Sequence, residues 1–174
     1  MRIETKRLII RYFSVGDETD LYNYLSKEEV VQYEPYPAYT FEQAATETMR
    51  RCEDHNFYAV VLKDGGVIGN LYLAPGEFDT WELGYVFNSE HWGKGYAGES
   101  AEALIDYAFS YWAARRITAF CNPLNRNSWV LLERLGFRRE GELIKNIYFK
   151  RNEQGEQIWQ DTYEYAILKE EWNQ

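Results

Sequence analysis

The chain is poor in the residues that announce a disulfide scaffold, a metal centre or a redox motif. Its 174 residues include two cysteines and two histidines. Cys52 and Cys121 are widely separated, with no C-x-x-C spacing and no nearby histidine to complete a ligand set, so no metal is expected. Cys121 lies in the apolar run Ile117-Thr118-Ala119-Phe120-Cys121 and reads as a buried, inert thiol. Positive charge is scarce too: Lys and Arg total 19 against 28 Asp and Glu, a formal net charge of −9. That sign disfavours nucleic acid and anionic membranes, which need clustered basic groups, and suits a cationic partner such as an amine or a basic peptide terminus. No apolar run reaches the roughly 18 residues of a membrane span, and Met1 to Lys6 lacks the apolar region of a secretion signal, so a cytoplasmic protein is expected. Repeats, low-complexity tracts and interdomain linkers are missing, and 1–174 reads as one domain. What is plentiful is core material: hydrophobic residues make up 45% of the chain, which supports a real core and argues against disorder.

The most informative stretch runs from Trp81 to Trp112. Trp81, Leu83, Tyr85 and Phe87 alternate at period two, the pattern of a strand, which sets Glu82 on the opposite face. From Ala97 the period changes, with Ala97, Ala101, Leu104, Ile105, Ala108 and Trp112 recurring at helical steps. Between them, Gly93, Gly95 and Gly98 let backbone amides crowd together where a helix presents its unpaired N–H groups. Such a turn is an anion cradle, suited to phosphate or pyrophosphate. It is a poor dinucleotide-binding turn: four polar residues separate Phe87 from Trp92, and no acidic residue follows between Tyr107 and Leu132 to hold a ribose. The phosphate-loop pattern G-x-x-x-x-G-K-[ST] does not occur.

Around this centre the sequence predicts a first strand over 7–13, a helix entered through Ser14 to Asp17, and a short helix over 28–33 that ends before Pro35 and Pro37. Thr40 and Gln43 form a capping box for a helix reaching about residue 53. Lys63-Asp64-Gly65-Gly66 turns a hairpin between 57–62 and 67–73. A strand over 117–122, a helix over 128–135 stopped at Gly136, and two long strands over 138–150 and 157–168 complete a mixed α/β domain.

The run His91 to Ala97, followed by Glu99, Ser100 and Ala101, closely resembles the acetyl-CoA loop of the GNAT N-acetyltransferase superfamily, in particular its ribosomal-protein N-terminal acetyltransferase branch. Glu4 to Arg11 resembles that branch's opening strand, Asn122 to Ser128 with Leu132 to Phe137 its second cofactor segment, and Asp161 to Trp172 its closing strand and tail. The resemblance implies a central twisted mixed sheet of about seven strands, flanked by helices on both faces and splayed between the fourth and fifth. It also implies acetyl-CoA as co-substrate, transfer of acetyl to a primary amine, and homodimerisation of the kind common among relatives.

By the same resemblance, pantetheine enters the splay beside main-chain groups of Val86 and Phe87. Trp92 opens the cofactor loop, and the pyrophosphate sits on the amides of Gly93, Lys94, Gly95, Tyr96, Ala97 and Gly98, with Lys94 and Arg126 either near the phosphates or plain solvated surface charges. Trp92 stands where the family usually has Gln or Arg. Asn122, Asn125 and Ser128 border the same gap. The position where many members carry an acidic tyrosine is Leu132, so Ser128, with its hydroxyl held by Asn125, is the candidate for stabilising the leaving thiolate. The same Asn125 and Ser128 also fit as plain helix caps. Glu82 is the candidate base for the ammonium, since superfamily members often use a carboxylate at about this place and a partly buried Glu has a raised pKa; an ordinary exposed strand carboxylate is the alternative. His91 reads as structural, because nothing is spaced to orient it. Tyr33, Tyr36 and Tyr39 flank the proline segment bordering the acceptor site and offer π faces for a cation or a peptide terminus. The acceptor is a protein N-terminal α-amine by branch resemblance, with an antibiotic, polyamine or amino acid as the small-molecule alternative and a noncatalytic acetyl-CoA sensor as the alternative to an enzyme.

Overall fold

A computed structural model describes residues 1 to 172. Its strands are β1 (Arg2–Glu4), β2 (Leu8–Tyr12), β3 (Phe57–Leu62), β4 (Val67–Pro75), β5 (Thr80–Phe87), β6 (Arg116–Cys121), β7 (Arg138–Arg151) and β8 (Gln157–Leu168). Its α-helices are α1 (Glu18–Leu25), α2 (Glu28–Val31), α3 (Phe41–Glu53), α4 (Tyr96–Tyr111) and α5 (Arg126–Arg134). The eight strands form one sheet in the order β1-β2-β3-β4-β5-β6-β8-β7. The strand beyond the expected seven is β1, a short, largely charged piece without apolar alternation.

Helices cover both faces, as expected. On one face α4 and α5 bury Ala101, Leu104, Ile105, Ala108 and Leu132 against Leu71, Leu73, Leu83, Phe87, Ile117 and Tyr165 of the sheet. On the other, α1 and α2 bury Leu21, Tyr24, Leu25, Val30 and Val31 against Ala59, Val67 and Val86. The Thr40–Gln43 capping box is present in full. The entry to α1 differs from expectation: the Asp17 carboxylate makes no cap bond and instead takes the Arg11 guanidinium at 2.7 and 2.8 Å and the Ser14 amide at 2.9 Å. An ion pair outcompetes the cap because two charge-assisted bonds outweigh one neutral amide.

Every neighbouring pair in the sheet is antiparallel except β5–β6, joined in parallel by α4. Trp81 at the start of β5 and Trp112 after α4 stack with centroids 5.2 Å apart, locking this crossover. The parallel ladder is short: Thr80 to Leu83 pair with Arg116 to Ala119 and no further. Beyond it β5 stays with β4, whereas Phe120 and Cys121 stay with β8. The sheet therefore opens at Leu83. At its far edge β7 and β8 run on past β6 as a two-stranded ribbon exposing Ile144, Ile158 and Trp159.

Candidate active site

The opening between β5 and β6 is the centre of a cleft of about 840 Å³. It is bounded by Leu83 to Val86 on β5, Ala119 to Asn122 on and after β6, Asn125 and Ser128 at the start of α5, the segment Tyr33–Tyr36, and the inner side of the β7–β8 ribbon.

Strand alternation decides which backbone groups of β5 face the opening. The Asn88 amide donates to the Ile68 carbonyl at 2.9 Å, so the opposed pair Phe87 and Gly69 is a non-hydrogen-bonded one. Tyr85 and Phe87 therefore turn their amides and carbonyls toward the gap. Val86, opposite Asn70, spends its backbone groups on β4. Of the two main-chain positions read from the sequence, Phe87 faces the gap and Val86 does not; Tyr85 takes its place. The strands approach closely here because position 69 is glycine: a Cβ would stand 2.6 Å from the Val86 carbonyl and from the Phe87 ring.

Past Phe87 the chain turns through Asn88, whose side chain caps the turn at Glu90, and through Gly93 and Gly95, both at positive φ. The amides of residues 93 to 98 make no hydrogen bond among the described residues; the first amide of α4 satisfied within the helix belongs to Glu99, bonded to the Gly95 carbonyl at 3.1 Å. The Trp92 indole N–H donates to the Phe87 carbonyl at 2.8 Å, tying the loop back to the strand end. Neither Lys94 nor Arg126 is in an ion pair among the described residues. His91 stacks obliquely near Tyr96, its Nδ1 without a partner, and burial with the Lys94 charge lowers its pKa. Arg7, far away in sequence, holds the loop: its guanidinium donates to the Lys94 carbonyl at 2.9 Å, pairs with Glu99 at 2.6 Å and lies over the Tyr96 ring at 4.5 Å. Thr5 adds a bond to Glu99 at 2.6 Å. These partners are at least 87 residues apart, and no spacing rule brings them together.

At the mouth of α5 the geometry separates the two roles left open for Asn125. Its Oδ1 accepts the Ser128 amide at 3.3 Å and caps the helix. The Ser128 hydroxyl is held instead by Tyr85, with the two oxygens 2.9 Å apart; Tyr85 Oη also reaches the Ser128 carbonyl at 3.0 Å. Burial pushes the Tyr85 pKa well up, and pushes the neighbouring Cys121 thiol up to about 11, so both keep their protons at neutral pH. Asn122 is spent structurally, its amide donating to Gln160 at 2.9 Å and its carbonyl accepting the Leu124 amide at 2.9 Å.

Glu82 lies on the cleft side of β5, at the last rungs before the opening, with no hydrogen bond or ion pair among the described residues. Much of its surface meets solvent, yet enough protein surrounds the carboxyl that burial alone raises its pKa. A second carboxylate lines the same cleft and was not anticipated from the sequence: burial pushes Glu34 up to about 7, against the opposing pull of Tyr36 and Arg51. Glu34-Pro35-Tyr36-Pro37 reads as a helix stop, and nothing in it signals the pocket that tertiary packing builds around it.

A family model described as acetyltransferase (GNAT) domain matches residues 7–138. The chain belongs to the GNAT acetyltransferases. It is 40% identical to a Bacillus subtilis protein named uncharacterized N-acetyltransferase YnaD, over 99% of this chain and 100% of that one. The crystal structure of a GNAT-family acetyltransferase from Bacillus anthracis superposes with a TM-score of 0.90 at 33% identity, covering 98% of this chain and 100% of that chain. A spermidine N-acetyltransferase from Vibrio cholerae, solved with CoA and spermine, shares the fold at a TM-score of 0.79 and 21% identity, covering 96% and 98%. As a GNAT enzyme the protein is an acyltransferase that takes acetyl from acetyl-CoA and gives it to an amine.

Proposed function

We propose that this GNAT enzyme acetylates the primary amine of a cationic acceptor, with Glu82 as base and Ser128, held by Tyr85, stabilising the leaving thiolate. One observation supports this reading above the others: a carboxylate without a partner stands at the point where β5 leaves β6. The residues fit acetyl-CoA. Unbonded amides over 93 to 98 suit a pyrophosphate, and the gap-facing groups of Tyr85 and Phe87 suit an extended arm beside the strand. The thioester supplies an activated acyl group; the protein supplies position, hydrogen bonds and a proton acceptor.

The amine arrives as an ammonium, and Glu82 takes its proton, a task for which a raised carboxylate pKa is suited. The amide of Phe87, facing the gap with no strand opposite, is placed to polarise the acyl carbonyl. As the C–S bond breaks, the Ser128 hydroxyl donates to the sulfur while Tyr85 keeps that hydroxyl oriented. The exposed apolar ribbon of β7 and β8 is the surface that best suits the homodimer implied by the family resemblance.

The branch resemblance points to a protein N-terminus as acceptor, and the Vibrio cholerae structure points to a polyamine. Acetyl-CoA turnover across N-terminal peptides, polyamines, amino acids and aminoglycosides, with mass detection of the product, tests the reading. Acetylated product with an amine is expected; cofactor binding with no turnover on any acceptor would make the protein a sensor. Glu82→Gln is expected to lower kcat/KM about a hundredfold at neutral pH, with partial recovery at high pH where the amine deprotonates unaided. A loss independent of pH would assign Glu82 to structure.

A further inference from the structure

Charge in the cleft does not balance. Arg50 is held by Glu47 at 2.7 Å and Asp54 at 3.0 Å. Arg51, almost fully buried, is held by Glu47 at 2.7 Å and by the Asn70 side chain at 2.9 Å, and no lysine lines the cleft. Its cations are therefore neutralised by Glu47 on α3 and by Asp54 just after it. Three carboxylates that line the cleft make no ion pair among the described residues: Glu82 on the β5 wall, Glu34 on the wall between α2 and α3, and Asp161 on β8, which accepts the Lys145 amide at 2.7 Å. Aromatic rings line the space near them, with Tyr36 and Tyr39 at 5.1 Å between centroids and Phe57 and Tyr72 at 4.9 Å. Such faces favour cations and offer nothing to a carboxylate or phosphate. Tyr33 donates its hydroxyl to the Leu124 carbonyl at 3.2 Å, strapping the Glu34 segment to the loop before α5. Glu34 takes a hydrogen bond from the Tyr36 side chain but makes no ion pair among the described residues, and burial still pushes it up to about 7.

We propose that the acceptor is a small diamine, its reacting nitrogen at Glu82 beside the gap and its second ammonium held by Glu34. The inference rests on the N-acetyltransferase reading and adds the residue that recognises the far end of the substrate. In the transfer, a C–N bond forms as the thioester C–S bond breaks. One ammonium proton passes to Glu82 before attack; the proton the nitrogen loses afterwards balances the one the thiolate takes up. The second ammonium keeps its protons throughout and serves only to position the chain between the two carboxylates.

The test uses the full chain with acetyl-CoA, linear α,ω-diamines of increasing length, and monoamines of matching length. The wild type is expected to show a length optimum, with kcat/KM for the best diamine at least about tenfold above its monoamine, the value of one charge-assisted bond. Glu34→Gln is expected to bring that ratio close to one, and Glu34→Asp to keep a preference while moving its optimum to a longer diamine. Equal rates with diamines and monoamines in the wild type, or a ratio unchanged in Glu34→Gln, would overturn the proposal. Turnover confined to peptide N-termini would overturn it and leave the N-acetyltransferase reading standing; acetyl transfer to no amine at all would sink both.

Discussion

Tyr85 shows how a single side chain changes the chemistry read from a sequence. By alternation it belongs with Trp81, Leu83 and Phe87 as a core residue of a strand, and its ring does pack against that core. Its hydroxyl, however, ends on Ser128, and in the proposed mechanism it supplies from β5 the phenol that Leu132 does not supply from α5. Tyr85→Phe is expected to lower kcat about tenfold, the value of one hydrogen bond, with little change in KM for acetyl-CoA. Unchanged kcat would leave Ser128 acting without it. Glu34 carries a second residue-scale consequence, for stability. Its carboxyl is raised from the ordinary value of 4.5 to about 7 by burial, against the pull of the Tyr36 hydroxyl and of the Arg51 guanidinium on α3, itself paired with Glu47. A raised acid destabilises the fold once it must ionise, so the penalty is absent below about pH 4.5, grows through pH 7 and remains above it. Glu34→Gln is therefore expected to raise Tm by a few degrees at pH 8 and to leave it unchanged at pH 4, as read by calorimetry. A shift equal at both pH values would contradict the assignment. Glu82 was legible because alternation places it; Glu34 was not, because its burial is made by α3 and by the tyrosines of its own loop.

At the scale of elements, boundaries followed local chemistry where local chemistry was strong. Thr40 and Gln43 box the start of α3 and Gly136 takes the left-handed conformation after α5 at φ +85°, whereas the β3–β4 hairpin turns where expected without a positive φ at Gly65 or Gly66. Local rules gave way where distant partners intervened, as at Asp17, which abandons the α1 cap for Arg11. The glycine loop depends on such a partner as well. Gly95 sits at φ +79°, with the Arg7 guanidinium 3.4 Å from where a Cβ would be, and Arg7 fixes both the Lys94 carbonyl and Glu99 in the first turn of α4. Because the pair is partly exposed, its worth to global stability is about 1 kcal/mol or less, while its effect on loop position is direct. Arg7→Ala is expected to raise KM for acetyl-CoA roughly tenfold, with kcat reduced less and Tm lowered slightly. A fall in kcat at constant KM would place Arg7 in the chemistry rather than in the loop.

Over the whole molecule, the proposed site lies where the parallel pairing of the sheet stops short. Seven strand pairings hold the sheet together, and the parallel one, β5 with β6, stops after four residue pairs although both strands run on. The strand–loop–helix at 81–112 was readable because its hydrophobic period changes at glycines; the length of the parallel ladder was not, since pairing depends on β4 and β8 drawing the strands apart. The same division turns the backbone groups of Tyr85 and Phe87 to the gap, sets Glu82 and Tyr85 in the cleft, and leaves the amides of 93 to 98 free in the loop after β5, in a chain of net charge −9. The most direct measurement is a titration of the 15N-labelled protein with coenzyme A, followed by amide NMR. The amide protons of Gly93, Gly95, Gly98 and Phe87 are expected to move strongly downfield as they bond to the ligand, while those of β1 and the β7–β8 turn stay in place. Binding that leaves the 93–98 amides unmoved would contradict the account.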